Sequence, residues 1–467
     1  MDLDELHGAS MRSPFVDEEV LGAELQTDTS PALARLVKES PFVGSLEEHR
    51  TRFDEARQEE AWEELQEDEL TPREGQAADE EDVPWAVGID PFPSEPTLAF
   101  HLNDARMTQA FEPVTVSNAS HLCAALVDLT GNPVMPPYAG LNDEEMIYAG
   151  SLPKICAMYA AFALRARVQA FVAAAAANGA PVVSPGITSE IEKAWKPKLR
   201  ALFPIRAATS FGNGQDITFP KLNEIFIFAP DGKVDFKRAA PPLTVAQIDT
   251  IRDKNAPQGM FHEWMRSMMR WSNDAAASKC ILALGYFYLN GALARAGLFD
   301  AVTRNGLWIS ADYESHDWVN TNAERQANAA GQPLTPRWAS AQGRRRSNIT
   351  ATAAQVARFM TLLAQNKLVD APASHAMRAL MNIKTGGAGS YAHFGLNAVD
   401  RGSTAFAAKI GFGDDSFSHD CAIIERTVGG KPLRYVAVGL GSAPKRKRTD
   451  LRDLFVLLDE AIVRRDE

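Results

Sequence analysis

The chain has 467 residues, of which 45% are hydrophobic, so it is long enough for two or three domains with a sizeable core. Its net charge of −12 is unevenly spread. Residues 1–95 contain 27 acidic and 7 basic side chains, a net of −20, which leaves 33 acidic and 41 basic ones, a net of +8, for the remainder. The acidity therefore belongs to an N-terminal tail, and the rest of the chain is mildly basic.

Cysteine usage and hydropathy exclude several classes of protein. The four cysteines lie far apart without metal-ligand spacing, which predicts buried free thiols and no metal site: Cys123, Cys156, Cys280 and Cys421. The N-terminus lacks the basic and apolar regions of a secretory signal. Arg165 and Arg167 interrupt the longest apolar run before it reaches the roughly 18 residues of a membrane span. We expect no cofactor, no membrane span and a cytoplasmic protein, unless export is non-classical.

Residues 1–95 have the composition of a mostly disordered segment, since they are acidic with scattered proline and glycine. Within this tail, Ser13-Pro-Phe-Val16 recurs as Ser40-Pro-Phe-Val43. These tetrapeptides resemble Ser-Pro-Phe segments in proteins associated with bacterial contractile injection systems. One hypothesis is that they bind a docking partner, and the other is coincidence or weak packing on the folded body.

A folded body is predicted over residues 114–465. Leu122–Leu129 has the apolar run of a buried strand, and an Ala-rich helix follows Ser151. Residues 184–260 are mixed in character and form a candidate insertion. Within them, two apolar runs flank Ala229-Pro-Asp-Gly232, which predicts a hairpin over residues 225–236.

The second half returns to helices and then to strands. The predicted helices are Ala275–Leu284, Thr350–Gln365 and a closing helix Leu451–Val463, and the predicted strands lie at Ala405–Glu425 and Leu433–Gly441. This order of strand, helices, strands and terminal helix predicts a mixed α/β fold of the α+β kind. An antiparallel sheet is flanked by helices, and an all-helical lobe is inserted in the middle.

Ser151 and Lys154 have the spacing S-x-x-K at the start of the Ala-rich helix. Because residues three apart share a helix face, the amine of Lys154 is predicted to lie beside the hydroxyl of Ser151. A serine becomes a nucleophile when a neighbouring base takes its proton, and a lysine in an apolar pocket is such a base if its pKa is lowered. A second copy, Ser442-Ala-Pro-Lys445, precedes no apolar helix and is interpreted as coincidental.

Two further motifs follow in order, Ser272-Asn-Asp274 before an apolar helix and Lys409-Ile-Gly411 on a predicted strand. The ordered set, with its flanking segments over residues 115–465, resembles the penicillin-recognising serine hydrolases, the superfamily of class A β-lactamases and D,D-peptidases. The motifs of that superfamily are S-x-x-K, S-D-N or S-x-N, and K-T-G. The resemblance implies a β-lactamase/transpeptidase-like fold.

The resemblance also implies roles for the motif residues. Ser151 would form an acyl-enzyme while Lys154, with Ser272, moves the protons. Lys409 would direct positive charge toward a substrate carboxylate, and the backbone N–H groups of Ser151 and Phe412 would form the oxyanion hole. Asp274, Gly411 and Phe412 are thus candidate substrate-binding residues. The structural alternatives are a helix N-cap for Ser272 and a solvated strand lysine for Lys409.

The chain departs from the superfamily pattern at several positions. Ile410 replaces a threonine or serine, which removes a hydroxyl for a substrate carboxylate. Asp274 replaces an asparagine, and its carboxylate favours a charged Lys154 unless it pairs with Lys409 instead. Glu314 and Glu324 are the candidates for activating a deacylating water, with surface glutamates as the alternative.

The basic runs Arg344–Arg346 and Lys445–Arg448 have no interleaved aromatic residues, and we interpret them as solvated surface rather than a nucleic-acid site.

The sequence therefore predicts a serine acyl-hydrolase that acts through Ser151 on β-lactams or related amides and esters of small molecules or peptides. One alternative is a D,D-peptidase or esterase. Another is a non-catalytic β-lactamase-like module that is delivered or docked through its acidic tail.

Overall fold

The structure is a computed structural model that describes most of residues 84–465. The segments outside its description are residues 1–83, 87, 94, 103, 119–121, 132–133, 203–218, 242, 245–258, 301–302, 304, 310–312, 314–348, 382–395, 397–404, 413–417, 442–447 and 466–467. Both Ser-Pro-Phe motifs, Glu314 and Glu324, the first basic run and most of the second lie outside the described residues. The predictions made for them stay predictions.

The described residues begin with a 3-10 turn at Pro84–Ala86 and contain ten helices and twelve strands. The helices are α1 Ala105–Asn118, α2 Lys154–Ala177, α3 Gly186–Leu202, α4 Leu222–Ile225, α5 Phe261–Arg270, α6 Asp274–Leu284, α7 Tyr286–Arg295, α8 Ala353–Ala364, α9 Ala371–Leu380 and α10 Arg448–Arg465. The strands are β1 Leu122–Asp128, β2 Tyr138–Leu141, β3 Ile147–Tyr148, β4 Phe226–Phe228, β5 Val234–Phe236, β6 Phe299–Asp300, β7 Asn305–Gly306, β8 Trp308–Ile309, β9 Ile349–Ala351, β10 Ala405–Phe412, β11 Ser418–Val428 and β12 Lys431–Gly441.

The central sheet joins the two ends of the chain. Its strand order is β10-β11-β12-β1-β2, and every pair is antiparallel. Strands β11 and β12 form a hairpin around Gly429 and Gly430, whose positive φ values of 55° and 80° suit a two-residue turn. Because all five strands come from the first and last parts of the described chain, the helices between them form an insertion, as predicted.

Both faces of the sheet are buried, so β1 is apolar at nearly every position. Ala124 and Leu126 pack with the terminal helices α1 and α10 on one face. Cys123 and Ala125 pack into the larger core that contains α2 and α8 on the other face. This alternation follows from the two-residue period of a strand. The predicted α+β fold of a helix-flanked antiparallel sheet is confirmed, and all four cysteines are buried free thiols.

Helix α2 is the central helix of the inserted lobe. It is apolar on all sides, which is typical of a helix surrounded by other elements. It contacts α7, α6 and the hairpin of β4 and β5, which the sequence predicted at this position. By length and hydropathy it also passes as a membrane-crossing helix, although 72% of its most apolar stretch is buried inside the protein.

Part of the segment assigned to the acidic tail packs against this lobe. The ring of Trp85 contacts that of Phe171 edge-on at 4.8 Å, and Glu95 accepts a hydrogen bond of 2.9 Å from the Tyr159 hydroxyl. Helix α1 then covers the sheet before residue 114, where the sequence placed the start of the folded body. Apolar residues within an acidic composition therefore contribute to the core.

A buried polar cluster fastens the C-terminal helix to the sheet. Asp459 of α10 pairs with Arg426 of β11 at 2.8 Å and accepts a hydrogen bond of 2.5 Å from Tyr435 of β12.

The Asp459→Ala variant would leave the guanidinium buried without this carboxylate, which typically costs about 3–5 kcal/mol. We expect that loss in urea unfolding. The matched variant Asp453→Ala, on the exposed side of the same helix, should stay within about 0.5 kcal/mol of the wild type. Equal effects of the two would contradict the cluster's role.

Candidate active site

Ser151 lies in a tight turn between β3 and α2, and its side chain is only half-buried. The turn is fixed from two sides, since Ala149 N donates to Ile349 O of β9 at 3.1 Å and Leu152 N donates to Ala149 O at 3.0 Å. Gly150 adopts a positive φ of 51°, which glycine accepts without strain. The hydroxyl of Ser151 is thereby held at the start of α2 with access to solvent.

Lys154 is the first residue of α2, and its side chain is fully buried. Its Nζ donates to Ser151 Oγ at 2.9 Å and to the Ser272 carbonyl at 2.6 Å, and it forms an ion pair with Asp274. The contact predicted from the S-x-x-K spacing is therefore present.

Burial is the larger influence on the amine of Lys154. It lowers the pKa of Lys154 because the charged form loses its hydration, while the Asp274 carboxylate raises that pKa and offsets part of the effect. When Lys154 is neutral, its two hydrogens can go to Ser272 O and Asp274, and its lone pair then faces Ser151 Oγ. This is the arrangement of a general base and its nucleophile.

Ser272 lies between two lysines. Its Oγ accepts a hydrogen bond of 2.8 Å from Lys409 Nζ and lies 3.5 Å from Lys154 Nζ. Ser272 has a positive φ of 57°, a conformation that is rare outside glycine and frequent at functional sites. The alternative role as a helix cap is wrong, because Asn273 caps α6 by accepting a hydrogen bond of 2.8 Å from Ala276 N.

Lys409 extends from β10 into the protein and is 3% exposed, so it is not a solvated strand lysine. Its Nζ also donates to the Ile410 carbonyl at 2.7 Å. Burial holds the pKa of Lys409 well below its usual range, and the nearby charge of Lys154 lowers it further. The charge of Lys154 therefore disfavours protonation of Lys409 across Ser272.

Asp274 contacts Lys154 and not Lys409, so the predicted alternative pairing is absent from the described contacts. Its side chain is still 47% exposed, which leaves part of the carboxylate facing solvent beside Ser151. Ile410 packs instead against the apolar cluster beneath α1 and α10. Asp274 therefore adds an acceptor beside Lys154, whereas the Ile410 side chain packs on the face of the sheet that α1 and α10 cover.

Gly411 lets β10 approach the Ser151 turn closely. A Cβ at this position would collide with Ala149 O and lie 2.9 Å from Leu152 N. No side chain fits there, so the strand backbone itself borders the Ser151 turn. Phe412 ends β10 opposite Ser418, one residue beyond this contact, which is compatible with the predicted oxyanion hole.

The sequence reasoning missed Tyr313, the residue before Glu314. The ring centroid of Tyr313 lies 4.5 Å from Lys154 Nζ, and its hydroxyl donates to Gly150 O at 3.0 Å. A single tyrosine in a long polar stretch has no local pattern that marks it, so only the fold could reveal it.

Comparisons with known proteins concern the family that the chain resembles. A model of the beta-lactamase enzyme family matches residues 248–450, which confirms the resemblance to a β-lactamase-like serine hydrolase. A search of curated proteins found no match.

Similar solved structures include a class A β-lactamase from Bacteroides cellulosilyticus, with 10% identity, a TM-score of 0.43 and coverage of 78% of this chain and 99% of that one. The TLA-1 extended-spectrum β-lactamase has 10% identity, a TM-score of 0.43 and coverage of 77% and 98%. A β-lactamase from Burkholderia phymatum has 15% identity, a TM-score of 0.39 and coverage of 77% and 99%.

The Gly411→Ala variant tests the close approach of β10 to the Ser151 turn. The added methyl group should push the strand away, at a cost of about 1–3 kcal/mol in unfolding free energy. A displacement of this kind should slow any reaction of Ser151 by about tenfold or more. Gly131→Ala is the control, because a Cβ at Gly131 meets no atom within 4 Å. Unchanged stability and reactivity of Gly411→Ala would contradict the geometry.

Proposed function

We propose that this β-lactamase-like chain is a serine acyl-hydrolase that cleaves amide or ester bonds through an acyl-enzyme on Ser151. The observation that supports the proposal most strongly is the buried amine of Lys154 at 2.9 Å from a half-exposed serine hydroxyl. Burying an ammonium group lowers the stability of the folded protein, so the burial of Lys154 beside a serine favours a functional role for its amine.

In the first step, Ser151 Oγ attacks the carbonyl carbon and its proton passes to neutral Lys154 Nζ. A negative charge develops on the carbonyl oxygen, which the backbone N–H groups of Ser151 and Phe412 would stabilise. Collapse of this intermediate breaks the bond to the amine or alcohol leaving group. The product is an ester between the acyl group and Ser151.

The leaving group needs a proton, and Ser272 is placed to deliver it. Its hydroxyl lies between the two amines, at 3.5 Å from Lys154 and 2.8 Å from Lys409. A proton taken up by Lys154 would pass through Ser272 to the departing atom, and Lys409 would keep the Ser272 oxygen oriented. Water then hydrolyses the acyl-enzyme, releases the acid and returns the proton to Ser151.

The substrate class is narrowed by Asp274. At this half-exposed position a carboxylate replaces the amide of the superfamily motif. This change weakens recognition of a negatively charged substrate. Neutral or cationic esters and amides therefore fit better than carboxylate-bearing penicillins or cell-wall peptides.

Two other functions were predicted beside this one. A D,D-peptidase or an esterase would use the same acyl-enzyme, and the charge at Asp274 favours the esterase of the two. A non-catalytic module docked through its acidic tail has no need of an activated serine, so the reactivity of Ser151 separates it from the enzymes.

Intact mass spectrometry with a fluorescent penicillin and with neutral activated esters tests the acyl-enzyme. We expect an adduct of one acyl group with the neutral esters, which the Ser151→Ala variant lacks. The penicillin adduct should form at least tenfold more slowly than the ester adduct. Recognition of the penicillin carboxylate that is weaker by roughly 1.4 kcal/mol corresponds to this tenfold difference. Ser442→Ala, in the second S-x-x-K copy, is the matched control and should react like the wild type. An adduct that persists in Ser151→Ala would refute the proposal.

The pH dependence of acylation tests the influence of Asp274 on Lys154. The rate should rise with pH as Lys154 loses its proton, and this rise should lie below the usual lysine range because burial lowers the pKa. In Asp274→Asn the carboxylate no longer favours the charged amine, so the rise should move to lower pH by about one unit.

The control for this experiment is Asp231→Asn, which makes the same charge change at an exposed turn of the β4–β5 hairpin. Its profile should overlay that of the wild type. A rise that moves to higher pH in Asp274→Asn would show that the carboxylate does not stabilise the protonated amine.

A further inference from the structure

Tyr313 contacts both members of the nucleophile–base pair. Its ring lies 4.5 Å from Lys154 Nζ, and its hydroxyl donates to the carbonyl of Gly150, the residue before Ser151. Tyr313 also packs with Tyr148 and Ile349, which belong to the strands that hold the nucleophile turn. Its φ of 70° is unusual for a residue with a bulky side chain.

A backbone held in this conformation indicates a position that the surrounding structure determines strongly. Burial raises the pKa of Tyr313 well above its usual value, so the phenol stays neutral and its hydroxyl remains a donor throughout the working range of the enzyme. The link to Gly150 is therefore independent of pH. The ring and the hydroxyl serve two separate contacts, which substitutions can separate.

The aromatic ring interacts differently with the two states of the amine. A ring face attracts an ammonium group through its quadrupole, and this attraction largely disappears when the amine is neutral. Several other groups also act on this amine and on its neighbours: Ser151, Ser272, Asp274 and Lys409 around Lys154, Asp420 and Cys421 beside Lys409, and Tyr148, Cys156 and Tyr286 beside Tyr313.

We propose that Tyr313 is a positioning residue of the active site. Its ring stabilises the protonated amine of Lys154, and its hydroxyl fixes the turn that presents Ser151. The proposal rests on the proposed function, because both contacts act through the nucleophile and its base. Tyr313 would take no part in proton transfer and would not contact the substrate. It sets the proton affinity of Lys154 and the position of the Ser151 hydroxyl.

Two variants separate the two contacts. Tyr313→Phe keeps the ring and removes the hydroxyl, whereas Tyr313→Leu keeps an apolar side chain over Lys154 and removes the ring. The full chain is labelled with ¹³C at lysine Cε and titrated by NMR, and the Lys154 signal is assigned by its loss in Lys154→Met. This measurement does not require catalytic activity, so it tests the role of the ring even if no substrate acylates Ser151.

We expect Lys154 to titrate in Tyr313→Phe as in the wild type, and in Tyr313→Leu at a pH lower by about half to one unit. Acylation of Ser151 by a neutral ester should show the same shift of its pH profile. In Tyr313→Phe the rate at high pH should fall by about tenfold without a shift, because the turn loses its tether.

Phe228→Leu is the matched control, since it removes a partly buried ring that packs beside Phe226 in the β4–β5 hairpin. It should leave the Lys154 titration unchanged. A Tyr313→Leu titration that overlays the wild type or moves to higher pH would overturn the role of the ring. An unchanged high-pH rate in Tyr313→Phe would overturn the role of the hydroxyl. Absence of any acylation in the wild type would refute the proposed function alone.

Discussion

The site depends on two lysine amines buried side by side around one serine. Lys154 and Lys409 both point inward, and each donates to groups of the Ser272 segment. Burial disfavours the charged form of both amines, and the charge of Lys154 further disfavours protonation of Lys409. The strands, the inserted helices and the turn at Ser151 supply the acceptors that make this burial possible. Without that burial, the lysine beside Ser151 would be a charged surface group with an ordinary lysine pKa.

The topology brings the three motifs together from distant parts of the chain. Ser151 precedes the central helix of the inserted lobe, Ser272 lies before a second helix of that lobe, and Lys409 lies on the edge strand of the sheet. The site is therefore at the boundary between sheet and lobe. The bare backbone at Gly411 allows the edge strand to border the Ser151 turn, so the separation of Ser151 and the strand is fixed by backbone contact.

The spacing of residues in the sequence predicted the contacts and turns that depend on local backbone geometry. The contact of Lys154 with Ser151 follows from a separation of three residues, and the β4–β5 hairpin follows from the turn sequence Ala229-Pro-Asp-Gly232. The partners of Ser272 lie 118 and 137 residues away, so only the resemblance could join them. Asn and Ser are both residue types that cap helices well, and in the structure Asn273 rather than Ser272 is the N-cap of α6. Tyr313 had no pattern in the sequence, because its hydroxyl contacts the carbonyl of Gly150, 163 residues away.

The most direct test of this account compares the wild type with Lys154→Met, measuring Ser151 acylation by a neutral activated ester at the pH of fastest reaction. Methionine retains much of the apolar side chain and removes the base. The account predicts that acylation slows by about a hundredfold to ten-thousandfold while the fold remains intact by circular dichroism. Acylation of Lys154→Met at a rate close to that of the wild type would contradict it, because the buried amine would then have no part in activating Ser151.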